Sequence, residues 1–539
     1  MMNNRTIMKN KGLYSLMLLL VLSTSCVKDL DTIPLDKDVV TSATVYDDEQ
    51  AYLQVLAKIY AGLALSGQEG PNGQVDINGV DAGYGQYLRA YFYLQQFPTD
   101  ETLTGWDDQT IRDLHYQQWG SSDVFIAAMY YRIFYQISVI NEYLRETTPE
   151  KLNERGVSQS QQEQIAVYRA EARFMRALSY WHAVDLFGNV PFVTEEDGVG
   201  AYSPPQIQRI DLARYIESEL LAIESTLMAP RMNEYGRADQ ACVWMLLSKL
   251  YLNWEVYSGG NQRYADCMTY LEKLLGAGYS LESDYQYLFL ADNHNLNEVI
   301  FSVNFDGTHT KTYGGTTFII HASIGGSMNP ADFGVNGGWG GLRTTSAFVQ
   351  KFYPDLKMDR NTADSRAMFY STDQSLEVSD IAQFKYGWAV TKWKNLDRGQ
   401  NSGSDLEFVD TDFPLFRLAD VYLMYAEVVL RGGGGSISEA LNYVNLLRER
   451  AYGSSEGNIE EASALTLDFI LDERARELYW ECQRRTDLIR FGQFTNGSYT
   501  WEWKGNVQEG MQTSSIYNLF PLPASDVAAN LNLKQNTGY

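Results

Sequence analysis

The chain has 539 residues, with 43 Lys and Arg against 68 Asp and Glu, for a formal net charge of −25. A surface this acidic repels nucleic acid and anionic lipid headgroups, which excludes both as electrostatic partners and leaves neutral ligands such as polysaccharides unpenalised. Length alone allows about two to four domains or one large helical array, and no apolar run after the first is long enough to span a membrane.

In chain order, the N-terminus reads first as a targeting segment. Arg5, Lys9 and Lys11 precede the apolar run 13–22, and Ser23, Thr24 and Ser25 lead to Cys26. This is the pattern of a secretory signal peptide over 1–25. A cysteine directly after small residues suggests a lipobox, with 26–45 as a tether. Ser23 stands where a Leu is common, so an ordinary signal peptide with a nearby cysteine is the competing reading. Acidic Asp29 and Asp31 follow the cysteine.

Helical periodicity then predicts helices near 48–65, 121–146, 161–186, 210–226, 237–257 and 262–276. In the third, Ala170, Phe174, Ala177, Leu178, Trp181 and Val184 make one apolar face. Gly188 suits a left-handed cap there, and Pro191 cannot continue the helix. The pair at 237–257 and 262–276 alternates large and small residues around a short turn, like a tetratricopeptide hairpin. A block at 414–483 gives three more helices, the first broken by Gly432–Gly435.

Two stretches differ. Residues 66–120 and 280–412 are rich in Gly and aromatics, and the second carries β-like runs at Val299–Val303 and Thr316–Ile320. They read as loop-rich insertions on a single helical domain over 46–539, whose scaffold lies near 46–65, 121–280 and 414–500. The expected class is therefore mainly α, a tetratricopeptide-like repeat scaffold with short-strand insertions forming the ligand face. Cys242, Cys267 and Cys482 form no CxxC or metal-like cluster. They read as small buried hydrophobes, with a Cys242–Cys267 bridge across the helical hairpin as the alternative.

Four ordered segments, together with the lipobox, carry a resemblance. They are Arg169–Phe192, then Pro414–Glu427, then Glu473–Tyr479 with Arg484–Gly492, and finally Phe520–Pro523 with Gln535–Tyr539; Leu30–Pro34 adds to them. The chain resembles the SusD/RagB family, glycan-binding outer-membrane lipoproteins of Bacteroidetes. The resemblance implies cleavage before Cys26 and its acylation. It also implies a surface-facing position on the outer membrane through the lipid anchor alone, and delivery of glycan to a SusC-like TonB-dependent transporter. The signature arginines and acids at 473–490 read as an interhelical salt network without chemistry.

A glycan site needs exposed rings for the C–H faces of sugars and polar groups for their hydroxyl edges. Two segments offer both: Asp81–Gln109, with Arg89 and Trp106, and Tyr313–Trp339, where Trp339 sits among glycines. Within the family the resemblance is to the starch-binding type, which implies an arc of Trp106, Tyr313 and Trp339, with Asp81, Arg89 and Gln109 holding hydroxyls. Gln109 stands where that type has Asn, and Thr104 replaces a flanking aromatic. Both departures keep dextran or a branched α-glucan open beside starch-like malto-oligosaccharide. Packing is the competing reading for each ring.

Hard oxygen ligands at Asp292, Asn295, Asp410 and Asp412 suit a structural Ca²⁺, against Asx turns and capping as the plainer use; no other cofactor is expected. A non-catalytic binding module leads. A glycoside hydrolase would need two carboxylates about 5–9.5 Å apart; pairs such as Asp107–Asp108 exist, but no glycosidase motif does. A repeat scaffold for another protein is the third class.

Overall fold

The computed structural model describes residues 45–46, 48–198, 200, 203–354 and 362–539. Cys26, the signal peptide and nearly all of the tether lie outside the described residues. From Tyr52 onward the chain forms one compact unit.

The fold is mainly helical. Asp123 caps the Val124–Glu146 helix by accepting from the amides of Phe125 and Ile126, two of the donors a helix start leaves unpaired. Gln159–Leu186 follows, capped by Ser158, and buries the predicted face of Phe174, Ala177, Leu178, Trp181 and Val184. It stops where Gly188 takes φ +73. Arg209–Ile223, Gln240–Leu252 and Tyr264–Leu275 continue the array, each packed on its neighbour. Tyr264–Leu275 then packs on Leu418–Leu430, which joins the two helical blocks across the long insertion. Ile437–Tyr452 and Leu467–Leu478 complete it, after a turn in which Gly432, Gly434 and Gly435 all have positive φ.

Strands serve as seams. Val299–Val303 pairs antiparallel with Phe413–Arg417, Val303 opposite Phe413. Leu103–Thr104 pairs with Leu342–Arg343, which ties the two loop-rich insertions together.

Two expectations need correction. Thr316–Ile320 is not a strand but the middle of a helix, Gly315–Ser323, buried along its whole length. The Tyr87–Gln96 segment, expected as loop, is a helix with all ten residues buried. Cys242, Cys267 and Cys482 are free and buried, as expected of small hydrophobes, and the alternative Cys242–Cys267 bridge does not form.

The 473–490 signature is a buried charge network. Arg417 meets Glu298, Glu477 and Glu481, and Arg450 meets Glu298 and Glu477. Arg366 meets Asp364, Glu473 and Glu477, and Arg474 spans Asp420 and Asp487. Apart from Arg366 with Asp364, the pairs join different segments, so the network fixes how those segments meet.

Candidate ligand-binding site

Arg89 projects from the buried Tyr87–Gln96 helix and is itself nearly buried. Its Nη1 donates to the carbonyls of Gly83 and Tyr313, both at 2.6 Å, and its Nε donates to the Tyr93 hydroxyl. The guanidinium lies 4.3 Å from the Phe318 ring centroid and 5.9 Å from that of Trp339, within cation–π range. Arg89 is therefore a fixed pin between the two insertions, with three protein acceptors already engaged.

The rings converge on it. Tyr313 and Trp339 meet at 6.1 Å in an edge arrangement. The Trp106 indole Nε1–H donates to the Trp339 carbonyl at 3.1 Å. Trp339 stacks on His321 at 5.0 Å and 16°, and the two His321 ring nitrogens face the Gly337 and Glu407 carbonyls. All three rings are half-buried, each backed by protein and open on another side. Gly341 makes the close approach possible: a Cβ there would stand 2.7 Å from the Trp106 ring.

The Tyr313 hydroxyl donates to Glu407 Oε1 at 2.7 Å. That bond, followed by burial, pushes the phenol up to about 12, so it stays a neutral donor and acceptor. Asp81 is exposed; its Oδ1 accepts from the Gly83 amide at 2.7 Å, which places it beside the Arg89 pin. Gln109 opens the Gln109–Tyr116 helix, and its Nε2 donates to Asp113 Oδ1 at 2.7 Å. The structure thus joins Arg89, Trp106, Tyr313 and Trp339 directly and Asp81 through Gly83. Gln109 has no contact tying it to the rings.

Two of the four residues considered for Ca²⁺ are held by hydrogen bonds within the fold. Asp410 accepts from the Gly307 amide and from the amide and hydroxyl of Ser404. Asp412 accepts from the Phe305 amide and the Tyr235 hydroxyl, and burial raises its pKa to about 6. Asp292 faces Arg398 at 3.7 Å, and Asn295 occupies a left-handed turn position at φ +61. Among the described residues no group of three or more His, Cys, Asp or Glu is placed to hold a metal ion. Of the two acids considered for hydrolysis, Asp107 pairs with Arg112 at 2.5 Å and Asp108 ends the loop before the Gln109 helix.

The family follows from comparison with known proteins. A model of the SusD family matches residues 369–539. The starch-binding protein SusD of Bacteroides thetaiotaomicron is 34% identical, with 98% of this chain and 99% of that protein covered. The chain belongs to the SusD family. SusD-like protein P25 of Formosa agariphila is 25% identical over 71% of this chain and 73% of its own length. Among solved structures, surface glycan-binding protein A from Bacteroides thetaiotaomicron in complex with laminarihexaose superposes with a TM-score of 0.69 at 19% identity, covering 90% of this chain and 99% of that one. A SusD superfamily protein from Parabacteroides distasonis gives 0.69 at 22% identity, covering 93% of this chain and 100% of that one. These likenesses are of fold.

Around these rings, sequence reasoning passed over Glu407, His321 and Phe318. Glu407 lies 94 positions from Tyr313, beyond any local pattern. His321 and Phe318 were hidden by reading their helix as a strand.

Proposed function

We propose that this chain is a non-catalytic cell-surface lipoprotein that captures starch-like α-glucan and passes it to a SusC-like TonB-dependent outer-membrane transporter. The observation that carries the reading is the ring cluster: Trp106, Tyr313 and Trp339 held together, half-exposed, around the buried Arg89. Its side chains come from both insertions of a chain 34% identical to a starch-binding protein. Rings fixed at an angle offer apolar faces to a curved chain of sugars, and their low rotamer freedom keeps the entropy cost of binding small. Asp81 supplies exposed carboxylate oxygens for hydroxyls beside them, and Gln109 would act only from the periphery. Many copies engaging one polymer would add avidity. The lipid anchor at Cys26 and the outward orientation on the outer membrane belong to the same proposal.

Affinity electrophoresis through gels containing amylopectin, pullulan or dextran tests it. Retardation by amylopectin, lost when Trp106, Tyr313 and Trp339 are replaced by Ala, is expected. Retardation by dextran alone would move the linkage to the second reading, a non-starch α-glucan. Retention unaffected by the triple substitution would remove the ring cluster from function. Incubation with maltoheptaose checks the hydrolase class, since shorter products would overturn a non-catalytic role.

A further inference from the structure

One half-buried ring beside the cluster has no part in the reading above. Phe384 lies against the 325–326 backbone: a Cβ built on Gly325 would stand 2.9 Å from Phe384 Cδ1 and Cε1 and 2.8 Å from Gly340 Cα. Gly325 thus borders both the ring and the residue directly after Trp339. Gly326, next along, takes φ +58 and is also bordered by the Phe384 ring. With no side chain at either glycine, the Cδ1–Cε1 edge of Phe384 packs on bare backbone that neighbours the Trp339 segment at Gly340. The Gly340 and Gly341 amides pair with the carbonyls of Ile324 and Ala322, so this backbone is rigid.

The loop that carries Phe384 is fixed to the same frame as Trp106. Arg343, buried and paired in register with Leu103, donates to the carbonyls of Ile381, Gln383 and Tyr386. Its guanidinium lies 5.8 Å from the Phe384 ring centroid, and Gln374 Nε2 holds the Phe384 carbonyl at 3.0 Å. Leu103 lies three residues before Trp106, so one arginine ties together the segments that carry the two rings. Beyond the glycines, the exposed Ser327 hydroxyl and the Tyr370 hydroxyl face each other at 2.9 Å. Between them they offer oxygens that can donate and accept, which suits the edge of a sugar ring.

We propose that Phe384, with the Ser327–Tyr370 hydroxyl pair, forms a further sugar subsite that extends the Trp106–Tyr313–Trp339 arc and takes the next units of the same glycan chain. The inference rests on the α-glucan reading of the arc and adds to it a preference for longer chains. A preformed ring costs little to order, so its contribution appears as affinity that short ligands cannot reach.

The test is isothermal titration of the full soluble domain with maltotriose and with maltoheptaose. Phe384→Ala is expected to weaken maltoheptaose binding about tenfold, the upper range for one aromatic contact, and to leave maltotriose unchanged. Phe384→Leu keeps the packing volume and removes the flat face; it should show the same loss, which separates stacking from a folding defect. Trp106→Ala serves as the reference and should abolish binding of both ligands. If Trp106→Ala abolishes binding while both Phe384 variants bind maltoheptaose as the parent does, the extension is overturned and the arc stands. If the parent binds neither sugar, or Trp106→Ala changes nothing, the α-glucan reading of the arc falls and the extension with it. Equal weakening of both ligands by both Phe384 variants would also overturn the extension, because a distant subsite cannot affect the short chain.

Discussion

Replacing Arg417 by Met should destabilise the protein by about 3–5 kcal/mol, the range for removing one partner from a buried ion pair. Arg417 is 1% exposed. Its Nε donates to Glu481 Oε2 at 2.6 Å, and its Nη1 to Glu477 and Glu298 at 2.7 and 2.9 Å. Nη2 reaches the Glu477 carbonyl at 2.7 Å and Glu481 Oε1 at 2.9 Å. Five charge-assisted bonds at about 1.5–3 kcal/mol each would overstate the loss. Arg450 and Arg366 still neutralise Glu298 and Glu477, and Lys392 still reaches Glu481. The cost is that of under-neutralised carboxylates in a dry site, not of every bond. Urea unfolding followed by tryptophan fluorescence measures it, because urea leaves ionic strength unchanged. A double-mutant cycle with Glu477→Gln should be clearly non-additive, since the two residues share partners. Burial alone raises the Glu477 pKa, but Arg450, Arg417 and Arg366 outweigh it and hold the carboxyl well below its usual range. Its contribution is therefore full above the ordinary value of 4.5 and is lost progressively as pH falls below that value toward the depressed folded-state one. The gap between parent and variant should narrow in the same window. A loss below about 1 kcal/mol at neutral pH, or simple additivity, would refute the idea that these charges act as one dry network.

Other outcomes follow from the same structure. Burial holds His115 and His182 at about 3 in the folded state against 6.5 ordinarily; the unfolded chain binds more protons between those values, so the midpoint of thermal unfolding should fall steadily as pH drops from about 6.5 toward 3. Gly341→Ala places a methyl group against the Trp106 indole, so amylopectin retardation should drop severalfold while the melting temperature stays within a few degrees. Cys242, Cys267 and Cys482 should be inert to a thiol reagent until urea unfolds the domain, and a reductant should leave the melting temperature unchanged, because all three are buried and unbridged.

The helical array was legible where apolar residues recur on one face and polar residues on the other, as in Gln159–Leu186. Tyr87–Gln96 escaped because it has no polar face to read: Arg89, Gln95 and Gln96 are all buried among their partners. Gly315–Ser323 escaped for a related reason. Its β-branched Thr316, Thr317, Ile319 and Ile320 favour strand locally, but burial on every side satisfies them in a helix, and a short apolar run does not reveal which periodicity it will adopt. At the site, glycine-flanked aromatics announced Trp106, Tyr313 and Trp339. The groups that orient them, Glu407 under Tyr313 and His321 under Trp339, are joined only by tertiary contacts that no spacing encodes.

The strand seam at Val303 and Phe413 gives the long insertion a single doorway. Chain leaves the helical frame and returns to it at one base pair of residues, so residues 304–412 behave architecturally as a cassette. Within it, Arg366 and Lys392 reach Glu473, Glu477 and Glu481 of the helical array, so the cassette is free to vary only away from those anchors. Trp106 sits outside the cassette, on the first insertion, yet its indole is bonded to Trp339 within it. A new ligand preference therefore has to be written in two places at once. A cassette transplanted between relatives without its matching 66–120 partner would bring its own Trp339 to a frame whose opposing ring does not fit.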